Sequence, residues 1–255
     1  MTAHNSMGRN NAKGSKKLII AAGTILAVLI LLAVSFFVYV SDYYHADGTA
    51  AEAMSSDDMV TVRERPYGVL FDGPSDDKAL IFYPGGKVDE NAYAPLLHKI
   101  ASSGIDVCQM KMPCRLAVLD TNAADKAFAE HQYSTWYIGG HSLGGVMAAK
   151  YASSNSDKIK GVIMLASYPS SQIPSGMDAL LITASEDQII NMSKLKENRK
   201  NLPGKYTEVS IKGGNHSQFG NYGHQKNDGK ALISSDEQQE KAAEAVISFI
   251  SSSTK

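Results

Sequence analysis

Apolar positions recur along this chain in two different periods, and one uninterrupted apolar stretch precedes both. Residues 18–40 carry no charge, a run long enough to cross a bilayer as a helix. Beyond residue 59 the runs are shorter. Val60-Thr-Val-Arg and Tyr67-Gly-Val-Leu-Phe predict two strands joined by a turn at Pro66. Ala79-Leu-Ile-Phe-Tyr is apolar throughout, the mark of a strand covered on both faces. Further strands are predicted over 105–110, 135–139, 161–166, 179–184 and 206–211. Tyr93, Leu96, Leu97 and Ile100 fall at helical spacing in a helix from about Glu90 that Gly104 stops. Helices are also predicted over 122–131, 143–153, 192–201 and 235–251. Strands alternating with amphipathic helices predict an α/β class, a mostly parallel sheet with helices on both faces.

Charge places the apolar stretch. Arg9, Lys13, Lys16 and Lys17 precede it without an acidic residue, so the N-terminus is expected in the cytoplasm and the remainder outside the membrane. The rival is a cleaved signal peptide, with Ala33-Val34-Ser35 as a small-residue site. The apolar core of such a peptide is shorter, and bulky Phe36, Phe37 and Tyr39 follow that site, so an uncleaved signal anchor is the expectation. The organisation read here is a disordered basic tail at 1–17, a transmembrane helix at 18–40, a tether at 41–58 and one domain at 59–255. No basic stripe with interleaved aromatics points to nucleic acid. Cys108 lies in a predicted strand and Cys114 in the loop after it. Extended chain between them predicts two separate thiols.

The chemistry centres on Gly140-His-Ser-Leu-Gly144, a G-x-S-x-G pentapeptide between a predicted strand and a predicted helix. At such a corner the serine is lifted above the sheet, at a helix N-terminus whose free N–H groups meet negative charge. Ser142 is the candidate nucleophile. It needs a base and a carboxylate to orient that base. Of seven histidines, His4 and His45 flank the apolar stretch. His98 and His131 are expected on helix surfaces, and His141 is expected to pack. His216 follows the strand at 206–211 through a glycine turn, at the sheet end where sites form. It is the candidate base, with His224 the runner-up. Ser185-Glu186-Asp187 follows the preceding strand. Asp187, short and nearer the next helix, is preferred over Glu186 because an orienting group must be held rigidly. The oxyanion hole is assigned to the N–H groups of Leu143 and of Gly86, in the turn Pro84-Gly-Gly-Lys87.

These residues resemble the α/β-hydrolase superfamily, from about Tyr67 to Ile250. The resemblance is to the compact, lid-poor branch that includes dienelactone-hydrolase-like and carboxylesterase-like proteins. It implies a Ser-His-Asp triad of Ser142, His216 and Asp187, with no metal and no organic cofactor. Two departures stand out. Pro84 occupies a place where many members carry histidine, and the short stretch 167–177 leaves no room for a cap domain. The loop 214–231, with Phe219, Tyr222 and Gln225, is expected to supply the missing wall. The expected function is a membrane-anchored serine hydrolase that cleaves an ester of a small-molecule acyl substrate. Acyl transfer or amide cleavage would use the same residues. A hydrolase fold kept for binding alone is the alternative of another class.

The topology carries the first prediction. Protease added to intact cells digests the domain that follows the apolar stretch. Digestion only after permeabilisation would reverse the orientation, and a mature N-terminus near Ser35 or Ser41 would replace the anchor by a cleaved signal.

Overall fold

Every strand expected from the apolar runs lies in one eight-stranded sheet. The computed structural model describes residues 7–75 and 77–253. The strands are β1 (Thr61–Arg65), β2 (Gly68–Asp72), β3 (Lys78–Tyr83), β4 (Asp106–Met110), β5 (Thr135–His141), β6 (Gly161–Leu165), β7 (Asp178–Ala184) and β8 (Thr207–Ile211). Their order across the sheet is β1-β2-β4-β3-β5-β6-β7-β8. β1 and β2 form an antiparallel hairpin, and β2 meets β4 antiparallel. From β4 to β8 every pair is parallel.

Side chains alternate across this sheet as the pleat requires. Leu80 and Phe82 of β3 join one buried cluster, while Ala79, Ile81 and Tyr83 join the other. The first cluster is closed by α3 (Ala94–Ser102) and α7 (Ser235–Ser252), through Leu96, Leu97 and Ile100 and through Val246, Phe249 and Ile250. The second is closed by α4 (Ala124–Glu130), α5 (Leu143–Ser154) and α6 (Met192–Asn198), through Ala124 and Ala127, Met147, Ala148 and Tyr151, and Leu195. No helix separates β6 from β7 among the described residues, in keeping with the short stretch read there. Both cysteines are free, and burial pushes the thiol of Cys108 up to about 12.

The chain divides into two units, Met1–Asp42 and Tyr43–Lys255. The first holds helix α1 (Met7–Ser41), whose part Leu18–Ser41 has a mean hydropathy of 2.8 and no buried residue in its most apolar window. That is long and apolar enough to cross a membrane. A membrane span and a signal sequence both fit the description. The tail expected to be disordered is helical from Met7, because extending a formed helix costs far less than starting one. Residues 1–6 lie outside the described residues.

The second unit begins sixteen positions earlier than the domain read from the sequence, at Tyr43 instead of 59. The segment expected as a tether is docked. Tyr44 N–H donates to Lys87 C=O at 2.8 Å, and Asp89 N–H donates to Tyr44 C=O at 2.8 Å. The Tyr44 ring packs on Tyr222 with centroids 5.6 Å apart. The Arg115 guanidinium stands 3.4 Å over the Tyr43 ring. Asp47 caps the short helix α2 (Gly48–Glu52), and Ala50 within it is fully buried. Small residues and charges read as a tether here because the side chains that dock, among them Tyr44, Ala46, Ala50, Ala53 and Met54, follow no single helix or strand period.

A domain shortened to 59–255 therefore unfolds below one comprising 43–255. The expected drop in thermal midpoint is roughly 5–10 °C, from about 2–3 kcal/mol of lost packing at about 2–4 °C per kcal/mol for a domain of this size. Equal midpoints by calorimetry would show the docked segment to be dispensable.

Candidate active site

The parallel strands all end on one edge, and each candidate residue follows one of them. β3 leads into Pro84-Gly-Gly-Lys87, β5 into Ser142, β7 into Asp187 and β8 into His216. Because β3, β5, β6, β7 and β8 are consecutive neighbours, the four segments lie side by side at that end of the sheet.

Ser142 sits at the corner between β5 and α5 with φ 53 and ψ −121. A non-glycine residue in that region is strained and persists only when its surroundings impose it. Ser142 N–H donates to Leu165 C=O of β6 at 2.9 Å, and Val146 N–H closes the first helical turn on Ser142 C=O at 3.1 Å. A Cβ on Gly144 would overlap the carbonyl oxygens of Tyr83 and Pro84. Glycine there lets α5 start directly against the end of β3.

Asp187 and Glu186 separate cleanly. Asp187 Oδ2 lies 2.8 Å from His216 Nδ1, and both side chains are almost wholly buried. Its Oδ1 accepts from the N–H groups of Ile189 and Ile190 at 2.8 and 2.9 Å. One oxygen fixes the carboxylate in its own turn and the other faces the imidazole. Glu186 instead accepts from Ser185 Oγ at 2.8 Å, on the exposed side. His216 Nε2 is buried with no hydrogen-bond partner. His216 and Ser142 line the same cavity. His224 is exposed, with no place in this cavity.

The glycine turn presents one free donor. Gly85 N–H donates to Tyr93 Oη at 3.0 Å, Lys87 N–H to Arg115 C=O at 2.9 Å and Val88 N–H to Gly85 C=O at 3.3 Å. Gly86 N–H makes no hydrogen bond among the described residues. A Cβ on Gly86 would come within 2.9 Å of Leu143 Cδ2, so this turn lies against the start of α5. Leu143 N–H is at the first position of α5, where a helix leaves its N–H groups without internal acceptors.

Three supports went unread in the sequence. Tyr93 was counted as a core position of a helix. It is fully buried, and its Oη also lies 2.9 Å from His141 Nδ1. Burial pushes the phenol up, so Tyr93 keeps its proton. With Gly85 donating to the oxygen, that proton goes to His141 Nδ1. Asp228 lies in the loop between β8 and α7. It is buried; Oδ2 accepts from Ser217 N–H at 2.8 Å and from Ser217 Oγ, and Oδ1 accepts from Gln188 N–H at 3.3 Å and Gly229 N–H at 2.8 Å. Burial opposes its ionisation, but the hydrogen bonds from Ser217, Gln188 and Gly229 hold its pKa below the ordinary carboxylate value. It thus ties the residue after His216 to the residue after Asp187. Gln238 of α7, also buried, exchanges hydrogen bonds with the backbone of Asn215. Of the three, only Asp228 had a local signal, the Asn-Asp-Gly turn.

His141 packs, as expected. Its ring is 4.5 Å from that of His216, and it is fully buried. His131 is not simply solvated: Tyr67 Oη lies 2.9 Å from its Nε2. The wall expected from 214–231 is also corrected. Phe219 and Tyr222 are core residues, and Tyr222 packs between Tyr44 and Tyr93. The cavity wall comes instead from Ser167 and Tyr168 after β6 and from Ile189, Ile190 and Asn191 after Asp187.

The model of the alpha/beta hydrolase family matches residues 79–240. No curated protein sequence matches the chain. Est1E from Butyrivibrio proteoclasticus is similar over 77% of this chain and 99% of its own, with a TM-score of 0.53 and 14% identity. The carboxylesterase CesB from Bacillus subtilis is similar over 79% and 94%, at 0.54 and 11%. A membrane phospholipase A described as a bacterial virulence factor is similar over 97% and 99%, at 0.58 and 11%. Likeness at such identities is a likeness of fold. The family match runs from β3 through the elbow and the loops after β7 and β8 into α7, and by that match the chain belongs to the alpha/beta hydrolase family.

Proposed function

We propose that this hydrolase is a membrane-anchored serine esterase that works through an acyl-enzyme. The observation that carries the reading is the 2.8 Å contact from Asp187 Oδ2 to His216 Nδ1, with the unpartnered Nε2 of the same ring beside the cavity that Ser142 lines. A histidine so held has its Nδ1 proton fixed by the carboxylate and its Nε2 lone pair available as a base.

The steps follow. His216 Nε2 takes the proton of Ser142 Oγ as that oxygen bonds to the ester carbonyl carbon. The carbonyl oxygen becomes an oxyanion and accepts from Gly86 N–H and Leu143 N–H, donors already in place. The tetrahedral adduct collapses, the C–O bond to the alcohol breaks, and His216 gives the alcohol its proton. Water then enters, loses a proton to His216 and attacks the acyl carbon. Collapse of that second adduct releases the acid and returns the proton to Ser142. The apolar stretch Leu18–Ser41 supports anchoring of the domain at a membrane.

Tyr93 is assigned as a positioning residue. Its hydroxyl joins the turn that carries Gly86 to His141, which neighbours Ser142 in sequence and packs on His216. One phenol therefore sets the spacing of donor turn, elbow and base.

A fluorophosphonate probe labels the wild-type protein at one serine, and Ser142→Ala abolishes the label. Labelling that persists in the alanine variant moves the nucleophile elsewhere, and an inert wild type favours a binding role. Asp187→Asn keeps the fold by circular dichroism and loses kcat by on the order of 10⁴-fold, as an amide in that place favours the wrong imidazole tautomer. Glu186→Gln changes kcat by less than about twofold, as expected of a surface carboxylate.

Tyr93→Phe lowers kcat by about tenfold through a looser donor turn, with KM nearly unchanged, since the loss falls on the transition state. Affinity for a trifluoromethyl ketone, which forms the oxyanion, falls in parallel. If stability drops while kcat and ketone affinity hold, Tyr93 is a packing residue only.

A further inference from the structure

The cavity beside Ser142 has a volume of about 240 Å³, below the range of roughly 300–1,000 Å³ that suits drug-sized ligands. Its walls are Leu143 and Val146 from the first turn of α5, Ala166, Ser167 and Tyr168 after β6, and Ile189, Ile190 and Asn191 after Asp187. Aspartate, glutamate, lysine and arginine are all missing from this lining. The one group there that changes charge in the reaction is His216 itself.

From this lining we infer that the acyl group taken by the enzyme is short and uncharged. The inference rests on the esterase reading above and deepens it. At about 30 Å³ for each small group the cavity holds about eight non-hydrogen atoms, an acyl chain of roughly six to eight carbons. The acyl group is the arm that belongs here, because it stays bonded to Ser142 through both steps. The alcohol must leave before water can take its place, so it occupies the open side. A carboxylate on the acyl chain would lose its water with only neutral polar groups (Ser167, Tyr168, Asn191) among the aliphatic side chains and no cation to receive it, which is unfavourable.

Ala166 holds one wall in place. It has φ 44, a left-handed conformation that a side chain rarely adopts, and its N–H donates to Ile182 C=O of β7 at 2.8 Å. This kink turns the chain after β6, where Ser167 and Tyr168 line the cavity together with Ile189 and Ile190. The walls thus come from the ends of three separate strands, β5, β6 and β7.

The test uses the full chain in detergent micelles, with nitrophenyl esters from acetyl to tetradecanoyl. The value of kcat/KM peaks between hexanoyl and octanoyl and falls about 100-fold by dodecanoyl, given the tenfold or larger steps that an apolar pocket imposes. A half-ester of glutaric acid is cleaved at least about 100-fold less well than its neutral methyl diester, since its charge is buried unpaired. Ile190→Ala moves the optimum to longer chains, and Val146→Phe moves it to shorter ones. An optimum at decanoyl or beyond, an unmoved profile in both variants, or equal turnover of the charged ester would overturn the inference. Fluorophosphonate labelling of the same samples separates the two levels. Labelled Ser142 with a flat chain-length profile sinks the pocket assignment alone, while no labelling and no cleavage of any ester sinks the esterase reading beneath it.

Discussion

The arrangement depends on one strained residue. Ser142 is held at φ 53, a conformation that costs about 1–3 kcal/mol and must be imposed by its neighbours. Three contacts impose it. The Leu165 carbonyl of β6 takes the Ser142 amide. The carbonyls of Tyr83 and Pro84 crowd Gly144 from β3. Beneath them, Met147, Ala148 and Tyr151 bury α5 against the sheet. The elbow is therefore a property of three parallel strands meeting one helix. The same crowding brings the Gly86 turn against Leu143, so the strain that raises the serine also sets the two amide donors beside it.

The other side of the site has no such strand-to-helix corner and is fixed by buried hydrogen bonds. Asp187 and His216 both stand on loops, which are ordinarily the more mobile parts of a fold. Here Asp187 spends one carboxylate oxygen on its own turn. Asp228 clamps Gln188 to Ser217, and Gln238 fixes Asn215 from α7. Each of these carboxylates and amides is more than nine-tenths buried as a side chain or residue and has its polar atoms matched. In a low-dielectric setting matched polar groups give rigid geometry, and an unmatched one would be costly. Loops held in this manner can orient an imidazole as well as a strand would.

What was legible in the sequence follows from the range of each interaction. β3 and β5 were readable because a strand covered on both faces needs an unbroken apolar run. The elbow was readable because steric crowding demands glycine at fixed offsets from Ser142. Asp187 is preferred over Glu186 from side-chain length and position, and the structure puts Asp187 Oδ2 against His216 Nδ1 while Glu186 pairs with Ser185. The docking of residues 43–58 was not readable, since Tyr44 meets Lys87 and Asp89 through its backbone, and the side chains that dock follow no single helix or strand period. Nor were the walls of the cavity. Phe219 and Tyr222 read as wall because they are aromatic and near the base, yet the core between Tyr44 and Tyr93 claims Tyr222. Their fate depends on long-range packing, as does the part played by Tyr93.

One consequence of the packing concerns charge. His216 becomes an imidazolium each time it takes a proton in the proposed cycle. A second histidine ring lies 4.5 Å from it, and a cation there would oppose that step. His141 avoids the conflict. Burial holds its pKa well below the ordinary histidine value, and His216 nearby pushes in the same direction. Tyr93, its proton retained by burial, supplies a neutral partner to Nδ1 in place of a carboxylate. The two histidines therefore differ in what faces Nδ1. A carboxylate, Asp187, faces that of His216, while a neutral phenol faces that of His141. Burial keeps His141 from taking up charge beside His216, the ring that lines the cavity with Ser142.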